Sequence, residues 1–152
     1  GGGHNMAAGF TLKKSNIKLL DNFIQDDYLK KNSNKDNLNK YDFELSSSAI
    51  KKKLINDINK LGPFGNLNFL PTFLINNLNI IKYDIINNKH LSVILKSNSG
   101  VSIKAICFNC LNTNIGHYLL SCKKKINIIA QINENIWNNK KTIQLQIKDL
   151  IL

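Results

Sequence analysis

The sequence predicts a small α+β element, in the order helix, strand, helix, followed by an all-β barrel of five strands that carries one short helix. Two observations lead there. Apolar residues recur at the 3.6-residue period of a helix up to residue 61 and at the two-residue period of a strand beyond residue 73. Between the two regimes, Gly62, Pro63, Gly65 and Pro71 punctuate the chain and mark an irregular connection.

Taken in order, Ile17, Leu20, Phe23, Ile24 and Tyr28 fall on one helical face, and Ser15 or Asn16 is placed to cap its start. Residues 31–40 are a loop by composition. Residues 41–45 alternate strictly, Tyr-Asp-Phe-Glu-Leu, and read as a short strand. Ser46 to Ser48 can cap a second helix with Ile50, Leu54, Ile58 and Leu61 inward; Gly62-Pro63 ends it. A first β region spans residues 73–86, with a break expected at Asn76-Asn77. Leu91, Val93 and Leu95 form a second strand, the turn residues 97–100 follow, and Val101, Ile103, Ala105 and Cys107 form a third. Residues 111–121 suit a short helix, which Gly116 weakens. Ile126, Ile128, Ala130 and Ile132 make a fourth strand, and Ile143, Leu145 and Ile147 a fifth. Three strands, a helix and two strands is the element order of an OB-fold.

With 152 residues, the chain holds one ordinary domain or two small ones. No apolar run is long enough to span a bilayer, so no membrane partner is expected. Three cysteines are too few for a disulfide framework and point to a reducing, cytoplasmic setting. The net charge of +11 points to a polyanionic partner. Every basic residue is Lys, and Asn and Ile abound, so codon bias contributes to that charge. Its distribution is still informative: residues 1–70 hold eleven Lys and seven acids, +4, whereas residues 71–152 hold ten Lys and three acids, +7. The second half is the more suitable nucleic-acid face.

Residues 1–9, Gly-Gly-Gly-His-Asn-Met-Ala-Ala-Gly, read chemically as a turn that brings backbone N–H groups close to a phosphate before entering a helix. A bare glycine linker is the plainer reading of the first three residues, but the His-x-x-Ala-Ala-Gly that follows is not linker-like. This stretch resembles the GGGHxxAAG signature of the DHH-associated domain of DHH-type phosphoesterases. Residues 61–68, Leu-Gly-Pro-Phe-Gly-Asn-Leu-Asn, resemble the linker that joins that domain to an OB-fold in RecJ-type exonucleases, which degrade single-stranded DNA from its 5′ end. Residues 90–93, 105–109, 135–137 and 144–149 resemble the same family in order and spacing. The chain departs from the pattern at Leu67 and Phe69 in the linker and at Asn139.

The resemblance implies a division into residues 1–62, the C-terminal part of a DHH-associated domain; residues 63–71, a linker; and residues 72–152, an OB-fold that binds single-stranded DNA. It implies a piece of a longer 5′-to-3′ exonuclease of DNA repair and recombination, with a DHH domain in cis. Manganese or magnesium is expected in that domain and no cofactor in this chain, which is expected to cleave nothing alone. A single-stranded-DNA-binding protein is a further partner the family suggests. Two other readings stay open: a stand-alone single-strand-binding protein, and another DHH phosphoesterase acting on oligonucleotides or cyclic dinucleotides.

Among individual residues, His4 can donate to a phosphate oxygen, with Gly1, Gly2 and Gly3 supplying backbone N–H groups; the plainer role is a helix cap. The family places its matching histidine at the cleft that faces the metal centre. Trp137, with Lys140 and Lys141 beside it in the last hairpin, can stack a base while the lysines meet phosphates, or can simply anchor the hairpin. Lys104 and Phe108 on the third strand, Lys96 on the second and the run Lys123, Lys124 and Lys125 are further candidates. Cys107 and Cys110 have zinc-ligand spacing, yet Cys107 falls on the apolar alternation and reads more simply as a buried thiol. No metal site is expected.

Overall fold

The computed structural model describes residues 1–4, 7–32, 40–137 and 140–151; the side chains of His4, Lys31, Asn32 and Trp137 lie outside what is described. The chain divides into two compact units, Gly1–Leu38 and Asn39–Leu152. In the first, β1 (Gly2–His4) pairs antiparallel with β2 (Ala7–Gly9), Gly3 opposite Ala8. On either side of residues 5 and 6, which lie outside the described residues together with the turn expected there, the opening motif is extended. Gly3 is needed for that pairing: a Cβ there would lie 2.8 Å from the Ala8 Cβ and 2.9 Å from its Cα. At Gly2 and Gly9 an added Cβ would meet nothing within 4 Å.

The first helix, α1 (Ile17–Asn32), follows a 3-10 turn at Lys14–Asn16, so Ser15 and Asn16 lie in the lead-in turn, where the Ser15 hydroxyl donates to Asn16 Oδ1 at 3.2 Å. Its helical spacing is as expected. Its apolar side is exposed, with Ile17, Phe23 and Ile24 between 51% and 68% accessible.

In the second unit β3 (Phe43–Glu44) runs parallel to the first barrel strand, and Asp42 ties the two together by accepting from the Thr72 N–H at 2.7 Å and the Thr72 hydroxyl at 2.8 Å. Those two bonds hold the Asp42 carboxyl below the usual carboxylate range. Ser46 to Ser48 do not cap the next helix. Ser47–Ala49 form a 3-10 turn, and α2 (Lys52–Asn59) starts after Lys51, which makes no side-chain cap bond. Ile50, Ile55 and Ile58 are buried, whereas Leu61 lies beyond the helix and is exposed. Those isoleucines belong to the barrel's own core, so residues 40–62 pack within the same compact unit as the barrel.

Residues 63–71 contain a four-residue turn held by paired backbone bonds between Gly65 and Asn68, and the Asn68 amide donates to the carbonyls of Leu61 at 2.8 Å and Pro63 at 3.0 Å. The departure at Leu67 falls at the tip of this turn, fully exposed, and has no positive φ. The turn tolerates it.

The barrel strands are β4 (Phe73–Ile86), β5 (His90–Ser97), β6 (Ser102–Cys107), β7 (Ile126–Trp137) and β8 (Lys140–Ile151). Their order is β4-β5-β6-β8-β7, and β7 returns to pair with β4, which closes the sheet. Asn76-Asn77 does not break β4. The strand continues through a register shift against β7, with Asn77 at a φ of 58°, a left-handed conformation that Asn adopts more readily than most residues. The last two strands are longer than the alternation alone indicated.

Between β6 and β7, α3 (Asn114–Ser121) is capped by the Thr113 side chain, which accepts from the Gly116 N–H. Gly116 does not weaken the helix so much as permit it: a Cβ there would sit 1.9 Å from the Cys110 carbonyl oxygen. Ile75, Leu78, Leu91, Leu95, Ile128 and Leu145 point inward and are fully buried, so strand parity and closure together define the core.

Candidate nucleic-acid interface

Strand parity sets which residues share the outer face. Along β5 the inward residues Leu91, Val93 and Leu95 alternate with outward His90, Ser92, Ile94 and Lys96; along β6 inward Ile103, Ala105 and Cys107 alternate with outward Ser102, Lys104 and Ile106. Ile94 is opposite Lys104 and Lys96 opposite Ser102, so Lys96 and Lys104 are diagonal neighbours on one surface. On the other side β6 runs parallel to β8, with Lys104 level with Gln144 and Ile106 with Gln146. Across β8, Gln144 faces Asn133 and Gln146 faces Gln131 of β7. A continuous outward stripe thus runs over four strands, cationic at β5–β6 and amide-bearing at β8–β7.

Phe108 follows directly on β6 and is 49% exposed. Its ring meets the His90 ring edge-on, with centroids 5.3 Å apart. The next residue, Asn109, has a φ of 52° and donates its N–H to His90 Nδ1 at 2.8 Å. An imidazole nitrogen that accepts carries no proton, so the neutral ring is protonated on Nε2. Leu111 N–H also donates to the Lys89 carbonyl at 3.2 Å. Two bonds therefore fasten the Phe108 turn to the start of β5.

Two shallow cavities flank this turn. One, of about 150 Å³, is lined by Ile106, Phe108, Asn133, Gln144 and Gln146 among others; the second, of about 270 Å³, has Phe108, Asn109, Thr113, Gln146 and Lys148 in its wall. Asn133 donates to Gln146 Oε1 at 3.3 Å, which orients both amides.

Of the residues singled out in sequence, Lys96, Lys104 and Phe108 come together on this face. Lys140 shares its parity with Thr142, Gln144 and Gln146 but lies four residues from Gln144, about 13 Å along an extended strand. Lys141 has the opposite parity, and its ammonium is 3.1 Å from Glu134 Oε2. It is committed to an internal ion pair. Trp137 ends β7 opposite Lys140, but its side chain lies outside the described residues, as does the departure at Asn139. Lys123, Lys124 and Lys125 are exposed between α3 and β7. In the other unit, His4 ends β1 opposite Ala7; its side chain is likewise outside the described residues, while Gly1, Gly2 and Gly3 are exposed. His90, Ile106, Asn133, Gln144 and Gln146 were not singled out as individual contacts. The signal available for them was parity: each is an outward position on a strand whose alternate residues are apolar.

Cys107 is buried, as its place in the apolar alternation predicts. Cys107 and Cys110 are buried, the Cys110 thiol donates to the Cys107 carbonyl at 3.2 Å, and burial, with the neighbouring thiol, pushes Cys107 well above the usual cysteine range. Among the described residues no group of three or more His, Cys, Asp or Glu side chains stands together, so they do not supply the carboxylate set of a two-metal hydrolytic centre.

A closed barrel of five strands in this order, with a helix between the third and the fourth, is an OB-fold. The family described as the RecJ OB domain matches residues 41–149, and the chain belongs to that family. It is 29% identical to the single-stranded-DNA-specific exonuclease RecJ of Bacillus subtilis (strain 168) over 161 aligned positions, covering 97% of this chain and 19% of that protein. The crystal structure of RecJ in complex with Mn2+ from Thermus thermophilus superposes with a TM-score of 0.62 at 19% identity, over 99% of this chain and 21% of that one, and shares the fold. The chain thus spans about one fifth of the length of the relatives it matches.

Proposed function

We propose that this chain is the substrate-binding C-terminal part of a 5′-to-3′ single-stranded-DNA exonuclease of the RecJ type, which acts in DNA repair and recombination in the cytoplasm. The observation that carries the reading is the outward stripe: Lys96 and Lys104 side by side on β5–β6, an exposed Phe108, and a row of amides on β8 and β7. Each part suits a single strand. Ammonium groups neutralise phosphates, an exposed ring stacks a base of any identity, and amides pair with base edges as donor or acceptor. Single strands leave their bases free for that contact.

Hydrolysis belongs, in this reading, to a DHH domain elsewhere in the polypeptide, where manganese or magnesium would be held. The exposed apolar side of α1 supports the assignment of the N-terminal segment to a larger DHH-associated domain, because a stripe of Ile17, Phe23 and Ile24 is costly to leave in water. There Gly2 and Gly9, which no local contact requires, would let backbone approach a phosphate, with His4 positioning it. A single-stranded-DNA-binding protein is a further partner consistent with this role.

The test uses the chain itself with a labelled oligothymidylate. Binding at low salt that weakens as salt rises is expected, because phosphate contacts release counterions. Lys104→Ala should lower the salt slope by about 1, while Lys141→Ala, already ion-paired, should change it little. The chain supplied with manganese should release no nucleotides. An absence of binding at low salt would remove the nucleic-acid reading, and nucleotide release would remove the division of labour.

A further inference from the structure

We infer that Phe108 is a wedge between two successive nucleotides, seating one base in each of the cavities beside it, and that His90 is the residue that positions it; the inference rests on the single-strand-binding reading above. Three observations converge. Phe108 and Gln146 line both cavities, so the two are adjacent and share a partition. The ring is half exposed, although it belongs to a turn that is otherwise fastened down: Asn109 donates to His90 Nδ1 at 2.8 Å, and the His90 ring abuts the Phe108 ring at 5.3 Å. An exposed aromatic on a flexible turn would lose conformational entropy on binding, whereas one held from behind has already lost it.

The walls of the two cavities differ in chemistry. The first cavity presents Ile106 and the amides of Asn133 and Gln144, suited to an apolar base face and a polar base edge. Glu134 also borders this cavity, and its carboxylate is paired with Lys141 at 3.1 Å. The second presents Thr113 and Lys148, a hydroxyl and an ammonium suited to the phosphate that joins the next nucleotide. Gln146, oriented by Asn133, reaches both. The ligand class is a dinucleotide step of single-stranded nucleic acid, with stacking that tolerates any base.

The experiment is an amide NMR titration of the chain with the dinucleotide TpT, combined with oligothymidylate affinities of variants. Shifts at both Ile106–Asn133 and Asn109–Thr113 support the wedge; shifts at one cavity only, or at neither, overturn it. Phe108→Ala should weaken oligothymidylate binding roughly 5- to 150-fold without changing the salt slope, because a stacking contact releases no counterion. Phe108→Trp should restore it. His90→Ala should weaken binding in the same way while Phe108 is present and add nothing in the Phe108→Ala background, a coupling that a merely structural role for His90 would not produce. Since Phe108 is half exposed, its alanine variant should keep the wild-type thermal midpoint. If the wild type binds and Phe108→Ala binds equally well, the wedge is wrong and the binding reading stands; if the wild type does not bind, both fall.

Discussion

Gly116→Ala is a substitution for which helix propensity and packing make opposite predictions. Alanine is favoured over glycine inside a helix by about 1 kcal/mol. At this site, however, the new Cβ would lie 1.9 Å from the Cys110 carbonyl oxygen, 2.7 Å from its carbon and 2.9 Å from the Leu111 oxygen. Ordinary contact begins at 3.4 Å, so α3 or the 110–111 backbone must move by 3.4 − 1.9 = 1.5 Å. All three obstacles are main chain and cannot swing aside like a side-chain tip. The Cys110 carbonyl is further pinned by the Thr113 N–H at 2.9 Å and the Thr113 hydroxyl at 2.8 Å, the latter belonging to the residue that caps α3.

Overpacking a core costs about 1–3 kcal/mol, and each hydrogen bond lost on relaxation adds about 1 kcal/mol. Offset by the propensity gain, the net loss should be about 2–4 kcal/mol, a large part of the stability of a domain this size. Urea unfolding followed by far-UV circular dichroism measures it as a lower midpoint at unchanged slope. The same displacement would shift the Phe108 turn, so oligonucleotide affinity should fall with it. A variant as stable as the wild type, or more so, would refute the packing argument and leave propensity as the governing term.

Asp42→Ala should remove the tie between residue 42 and Thr72 and cost under about 1 kcal/mol at neutral pH, given how exposed the carboxylate is. Because the folded Asp42 carboxyl titrates below its unfolded value, that contribution is present above the ordinary Asp value of about 3.9 and fades as pH falls through the lowered one. Wild type and variant should therefore converge in acid-dependent urea unfolding, and a gap that persists at the lowest pH would show the effect is not the carboxylate's. Cys107 and Cys110, buried with Cys107 held as a thiol, should resist iodoacetamide in the folded protein while half-buried Cys122 reacts, and all three should react in urea. Equal native reactivity of all three cysteines would contradict the assigned burial.

The barrel was legible in the sequence because its signal is local: parity alone puts Leu91, Val93, Leu95, Ile103, Ala105 and Leu145 inward, and all six are buried. The break expected at Asn76-Asn77 and the weakness expected at Gly116 have a common origin. Both residues are unfavourable for the element that contains them, and both are accommodated through a contact outside that element, fifty residues away for Asn77 and in the preceding turn for Gly116. Asn77 accommodates the shift against β7, with its N–H donating to Asn127 Oδ1 at 3.0 Å, and Gly116 makes room for the Cys110 carbonyl. A local rule records the cost and not the partner. The same holds for Ser46 to Ser48, good caps by composition, which are taken up by a 3-10 turn that leaves Ile50 buried against the barrel.

The candidate site was legible only in part for a related reason. Lys96, Lys104 and Phe108 could be found because they lie on two strands joined by one short turn, whose register the turn fixes. Gln144 and Gln146 reach that face only through the parallel pairing of β6 with β8, a contact between strands about forty residues apart in sequence. Lys141 was singled out by proximity to Trp137, but proximity in sequence along a strand alternates faces, and the residue lies on the face opposite to that of Lys140, with Glu134 as its partner. A cluster of lysines in a strand is thus two half-clusters. Of the two hairpin lysines only Lys140 shares the outer face with Lys96 and Lys104, and it lies about 13 Å along the strand from Gln144.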